Sequence, residues 1–172
     1  KGPRSAAHRE SRAKLGITCE HVTLQRTPMG DLVVTGVHTG RVEILPHEVP
    51  GLIDELPAVA ALAAHSGEVS VRGAEELRVK ESDRIQVMAD GLQVLGVDAT
   101  ATPDGMIIHG GKPIGGGTVQ SHGDHRIAMA FSIAGLRASG QITIHDCANV
   151  NTSFPTFVSL ANGLGLSVHS DA

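Results

Sequence analysis

The chain has 172 residues, with 14 Lys and Arg against 18 Asp and Glu, a formal net charge of −4, and three Phe but no Trp or Tyr. This balance excludes a nucleic-acid surface, which needs a basic face and, for single strands, aromatic stacking platforms. It also excludes a helical membrane span, because no run approaches the roughly 20 consecutive apolar residues that one requires. Any anionic ligand must be met by a local cluster of cations, which suits a small phosphorylated molecule better than a polymer. The two cysteines, Cys19 and Cys147, stand far apart and in no metal spacing. They read as free thiols of a cytoplasmic chain, packed as small hydrophobes.

The chain opens on KGPRSAAHRESRAKLG, without an initiator Met and apparently part-way into a helix, so it is expected to be cut from a longer protein. The stretch RAKLGITCEHVTL then predicts a helix end, a Gly and a strand, with MGDLVVTGVH as a second strand. Asp54 to Ala64 (DELPAVAALAA) starts at a residue suited to N-capping and is apolar nearly all round, which predicts a buried helix. Val69 to Val71 predicts a strand. Ile85, Met88, Leu92 and Leu95 then mark one helical face, and Gly96 in VLGV suits a left-handed helix end. VDATATPDGMIIHG predicts a hairpin turning at Pro103-Asp104-Gly105. Gly111 to Gly117 reads as a connecting loop.

The pattern then repeats. Asp124 to Leu136 (DHRIAMAFSIAGL) is a second apolar helix behind an Asp, and SGQITIHDCANV at Ser139 to Val150 echoes SGEVSVRGAEEL at Ser66 to Leu77. Ser153 before Phe154 and Pro155 reads as the N-cap of a further helix, which ends at GLGL before a last strand. The order is ββ, αβα, ββ, αβα and a strand. It predicts a single α+β domain over residues 1–172, in which repeated units pack apolar helices inside and mixed sheets outside.

Three predicted helix starts concentrate the polar residues: Ile53-Asp54-Glu55, Lys80-Glu81-Ser82-Asp83-Arg84 and Asp124-His125-Arg126. An Asp at such a place is an N-cap on its simplest reading. An Arg there opposes the helix dipole unless an anion offsets it. Arg84 and Arg126 both do this, and either a ligand or a salt bridge to Asp83 or Asp124 would account for each. Cations beside the exposed N–H groups of a helix start make an anion site, and a carboxylate there can move protons. His122, Asp124 and His125 have the wrong spacing for one helical face, so no metal site is expected. No GxSxG signals a Ser nucleophile.

These residues carry a family resemblance. IDELP at Ile53, ELRVKESDRI at Glu76, GDHRIAMAF at Gly123 and TSFPTF at Thr152 resemble, in order and separation, the 5-enolpyruvylshikimate-3-phosphate synthase family. The resemblance runs from about Leu15 to the C-terminus and covers most of the C-terminal globular domain of a two-domain enzyme. It implies βαβαββ units with helices inside, an inside-out α/β barrel. It also implies transfer of the enolpyruvyl group of phosphoenolpyruvate to the 5-hydroxyl of shikimate 3-phosphate, without metal or organic cofactor.

By the same resemblance, Asp54 would accept the hydroxyl proton and Lys80 would contact shikimate 3-phosphate. Glu81 would give a proton to the phosphoenolpyruvate methylene and take it back, while Arg84 and Arg126 would hold phosphoenolpyruvate. Two positions depart from the family pattern: Thr152 stands where many members have a Lys, and Glu76 where some have Asn. With the N-terminal domain absent, the chain is expected to be inactive alone. The alternatives are a non-catalytic α+β repeat module, or an enolpyruvyl transferase for another alcohol such as UDP-N-acetylglucosamine.

Overall fold

Residues 17–24, 27–34 and 41–170 are described in the computed structural model of the chain; the helix end expected at 12–16 lies outside them. β1 (Ile17–Leu24) and β2 (Thr27–Val34) form the antiparallel hairpin expected near the start. β3 (Arg41–Ile44) follows, a short strand that the sequence pattern did not single out. It lies parallel to β4 (Glu68–Val71), and α1 (Leu56–Ser66) crosses between them. A 3-10 turn at Glu75–Val79 leads to α2 (Arg84–Val94) and then to the hairpin of β5 (Asp98–Thr102) and β6 (Gly105–His109). β6 pairs antiparallel with both β4 and β5, so the sheet order is β3-β4-β6-β5. This is one complete βαβαββ unit.

A second copy begins at once. β7 (Gly117–Gln120) and β8 (Ile142–His145) pair in parallel around α3 (His125–Ala134). α4 (Asn149–Ser153) and α5 (Phe157–Gly163) stand where the 3-10 turn and α2 stand in the first copy. Even the turn after the second strand is shared, since Gly73 and Asp146 occupy the same place in the echoed segments and both adopt positive φ, 68° and 58°. The glycines closing α2 and α5, Gly96 and Gly165, are also left-handed, at 84° and 98°, as the helix-end reading required.

Three expectations are corrected. No strand forms at 164–170; instead the Asn162 side chain holds Val168 by both its backbone N–H (2.7 Å) and its carbonyl (2.9 Å), keeping the segment against α5. Ser153 is the last residue of α4 rather than an N-cap. Phe154 precedes Pro155 and is driven out of the helical region, to φ −146° and ψ 76°, so α5 starts after Thr156. Cys147 is exposed and free rather than packed.

The helices lie inside because α1 and α3 have no polar face to offer water. Leu56, Ala60, Ala61, Ala63 and Ala64 of α1 are buried, as are Ile127, Ala130, Phe131 and Ala134 of α3, and the two helices pack on each other. Val69, Val71, Met106 and Ile108 close the core from the sheet. α2 completes it through Ile85, Met88 and Leu92, and it approaches α3 so closely that a Cβ on Gly91 would stand 2.2 Å from Phe131 Cζ.

Two effects oppose each other in Gly91→Ala. Helix propensity favours Ala by about 1 kcal/mol, but forcing a methyl group against a fully buried ring costs about 1–3 kcal/mol, and more where the ring cannot shift. The variant is expected to lower the urea midpoint, because Phe131 is enclosed on all sides. A raised midpoint would mean that α2 and α3 are not in the contact described.

Candidate active site

Three turns meet at the N-terminal ends of α1, α2 and α3. Before α1, a 3-10 turn at Val49–Gly51 passes into hydrogen bonds from Glu55 N and Leu56 N to Leu52 O (2.8 and 3.1 Å). The helix therefore begins two residues later than its first Asp, with Glu55 at the N-cap position and no side-chain cap. That overturns the capping role for Asp54. Its carboxylate is turned instead to two arginines, Nη1 of Arg84 at 3.2 Å and Nη2 of Arg126 at 3.6 Å, and its carbonyl accepts from Arg126 Nη1 at 3.0 Å.

The second turn is pinned at both ends. Arg78 donates to the carbonyls of Pro103 (2.8 Å) and Thr102 (2.5 Å) on the β5–β6 hairpin and to Asp83 at 2.6 Å. The hairpin answers through Asp104, which accepts from Gly73 N at 2.9 Å; that bond holds its carboxyl below the ordinary range. Asp83 also caps α2 by accepting from Gln86 N. Lys80, extended between the 3-10 turn and the helix, donates to Glu76 at 2.6 Å, and this bond raises its pKa.

The third turn uses two left-handed residues, His122 and Gly123, after Ser121, whose hydroxyl bonds the carbonyls of His145 (2.9 Å) and Asp146 (2.6 Å). It delivers Asp124 as the N-cap of α3, accepting from Arg126 N (3.0 Å) and Ile127 N (3.4 Å). The capping expected of Asp124 is thus present, and the same carboxylate does more. It accepts from Arg84 Nε at 2.8 Å and from the Ser82 hydroxyl at 3.0 Å. Both partners are dry, with side chains 1% (Arg84) and 0% (Asp124) exposed.

Burial is the largest single influence on each and works against both charges, but the hydrogen bonds and charge attractions around them together outweigh it. Asp124 is held below the ordinary carboxylate range by Arg84, with Ser82 and the Arg126 N–H helping; the Arg84 pKa is raised by Asp124, Glu81 and Asp54. Glu81 completes the set, accepting from Arg84 Nη2 at 2.5 Å.

Asp54, Glu81, Arg84 and Arg126, singled out from sequence on three separate segments, thus form one network. Lys80 stands at its border in its own pair with Glu76. Each cation is matched by a carboxylate, so the wall is charge-balanced rather than a ready anion hole. Arg84 pairs with Asp124, Asp54 and Glu81 and leaves Asp83 to Arg78. Ser82, Arg78 and Asp124 organise this network; the sequence pattern offered Asp124 as a cap and a salt-bridge partner but gave Ser82 and Arg78 no part in it. Thr152 is exposed on α4. Among the described residues no group of three or more His, Cys, Asp or Glu could hold a metal ion, and no helix is long and apolar enough to cross a membrane.

Comparison with known proteins supplies the context. The family model described as EPSP synthase (3-phosphoshikimate 1-carboxyvinyltransferase) matches residues 7–160. A 3-phosphoshikimate 1-carboxyvinyltransferase of Methylococcus capsulatus is 59% identical over 142 residues, 82% of this chain and 32% of its own length. One from Nitrosococcus oceani is 62% identical over 121 residues, 70% of this chain and 27% of its own. A solved EPSP synthase from Acinetobacter baumannii superposes with a TM-score of 0.88 at 45% identity, covering 99% of this chain and 41% of that one. The chain spans about a third of the length of the curated relatives it matches.

Asp124→Asn keeps a good N-cap but leaves Arg84 without its buried counter-charge. It is expected to cost about 3–5 kcal/mol in urea denaturation, the loss found when one member of a buried pair is removed; a loss confined to a few tenths would show that the pair adds nothing beyond the cap. The pH dependence has a definite sign. Because the folded-state pKa of Asp124 lies below its unfolded value of 3.8, its contribution is complete above that value and is lost as pH falls through the folded one. The stability gap between wild type and Asp124→Asn is therefore expected to hold from neutral pH down to about 5 and to narrow below about 4.

Proposed function

The chain belongs to the EPSP synthase family, and on that premise we propose that it forms one wall of the cleft in which such an enzyme moves the enolpyruvyl group of phosphoenolpyruvate to the 5-hydroxyl of shikimate 3-phosphate, releasing phosphate. In this reading it is most of the C-terminal domain of a cytoplasmic two-domain transferase, and its partner is the remainder of the same enzyme. What supports the reading most directly is the convergence of Arg84 and Arg126 on Asp54, with Glu81 on the first guanidinium.

Asp54 takes the proton of the attacking hydroxyl, and Lys80 meets shikimate 3-phosphate beside it. Glu81 protonates the methylene carbon of phosphoenolpyruvate and later recovers that proton. Protonation leaves a cationic centre that the oxygen attacks, and the tetrahedral adduct expels phosphate; two carboxylates and several cations meet these needs, with no metal or organic cofactor. Arg84 and Arg126 bind the carboxylate and phosphate of phosphoenolpyruvate, for which planar forks are suited.

The reading is tested by titrating the isotope-labelled chain with phosphoenolpyruvate and with shikimate 3-phosphate while following amide shifts. Changes are expected to cluster at residues 80–84 and around Arg126 and Asp54, with weak affinity and no phosphate release from the chain alone. Shifts scattered over the surface would favour a repeat module without a ligand. Release of phosphate by this chain from the two substrates would overturn its role as one wall.

A further inference from the structure

We propose that anion binding at this wall is an exchange: a ligand carboxylate or phosphate gains Arg84 only as Glu81 releases it, so Glu81 is the site's internal surrogate anion as well as its acid. This rests on the reading that Arg84 faces phosphoenolpyruvate. The Arg84 side chain is 1% exposed, and all three of its nitrogens are engaged: Nε by Asp124, Nη1 by Asp54 and Nη2 by Glu81. Nη2 also reaches Asp124 Oδ1 at 3.4 Å, and the one N–H left on Nη1 is buried with the rest of the side chain, so an incoming anion reaches the guanidinium only by displacing a carboxylate that covers it.

The three carboxylates differ in how readily they can leave. Asp124 is fully buried and also holds the Ser82 hydroxyl and two backbone N–H groups, so its departure would orphan four groups at once. Asp54 is half-exposed but divides its oxygens between Arg84 and Arg126. Glu81 is 51% exposed, sits one turn from Arg84 on the same segment, and bonds only Arg84 among the described residues. It can swing into water with no other partner lost. Arg84 then stays neutralised throughout, because one anion follows another, and the arrival of ligand is what frees the acid.

A simple contact residue and a competitor give opposite results when removed. In the full 172-residue chain, Glu81→Gln is expected to tighten the binding of phosphoenolpyruvate and of inorganic phosphate about threefold to tenfold, since a larger fraction of Arg84 is then open to ligand. Glu81→Ala should do the same, which guards against a misplaced Gln amide. Glu68→Gln removes an equal charge from the sheet, where Glu68 pairs with Arg41, and should leave affinity unchanged. Equal tightening by Glu68→Gln would reduce the effect to net charge and overturn the exchange. Unchanged or weaker binding in both Glu81 variants, with shifts still centred on 80–84 in the wild type, would overturn the exchange and leave the proposed function standing. Absence of shifts at 80–84 and Arg126 in wild type and variants alike would remove both.

Discussion

A guanidinium sealed from water has to be neutralised within hydrogen-bond reach, because arginine cannot give up its proton instead. Arg84 imposes that demand on the whole chain. Its counter-ion Asp124 comes from a segment 40 residues on, and its second partner, Asp54, from one 30 residues before. Three helices therefore have to present their N-terminal ends to a single point. The buried packing of α1, α2 and α3 brings them there, and the ion pair fixes how they meet. Apolar contact between cylinders tolerates sliding and rotation, whereas a carboxylate with four donors does not.

The same demand explains why the site carries so little free positive charge. A helix start with two arginines would attract anions if they were solvated, but here the chain supplies its own. Asp54 serves two cations at once, which it can do because α1 starts late and leaves it outside the helix. Had it capped α1, its oxygens would have faced backbone N–H groups, and Arg126 would have lost its partner. The displaced helix start is thus the local feature that turns a capping residue into a bridging one.

Much of this was legible in the residues. Apolar runs without a polar face marked α1 and α3 as interior helices, and the echoed Ser-Gly segments marked the repeat. The alternation of Asp98 to His109 around Pro103-Asp104 marked the hairpin. The clustering of Asp54, Lys80–Arg84 and Arg126 at helix starts pointed to one site. What escaped has physical causes. β3 and β7 are four residues each, too short to show a period, and their pairing is parallel and distant, so no turn announces them. The choice of counter-ion was also hidden: Arg84 has an adjacent Asp83 in sequence, but that side chain is engaged by Arg78 and by Gln86 N. Which carboxylate meets which arginine depends on long-range geometry that local spacing does not encode.

The β5–β6 hairpin has an unusual standing among surface turns. Its tip, at Pro103 and Asp104, sits where chains commonly accept insertions, circular permutation joins and proteolytic nicks. Yet its carbonyls at Thr102 and Pro103 hold Arg78, its Asp104 side chain holds Gly73 N, and its Asp104 carbonyl accepts from Ala74 N at 2.7 Å. The segment gripped in this way is the one that ends in Lys80 and Glu81. A tag or loop graft placed at this tip would loosen the turn before α2 from behind, so the tolerant positions for engineering lie elsewhere, and sequence drift at the tip is coupled to that turn through these hydrogen bonds.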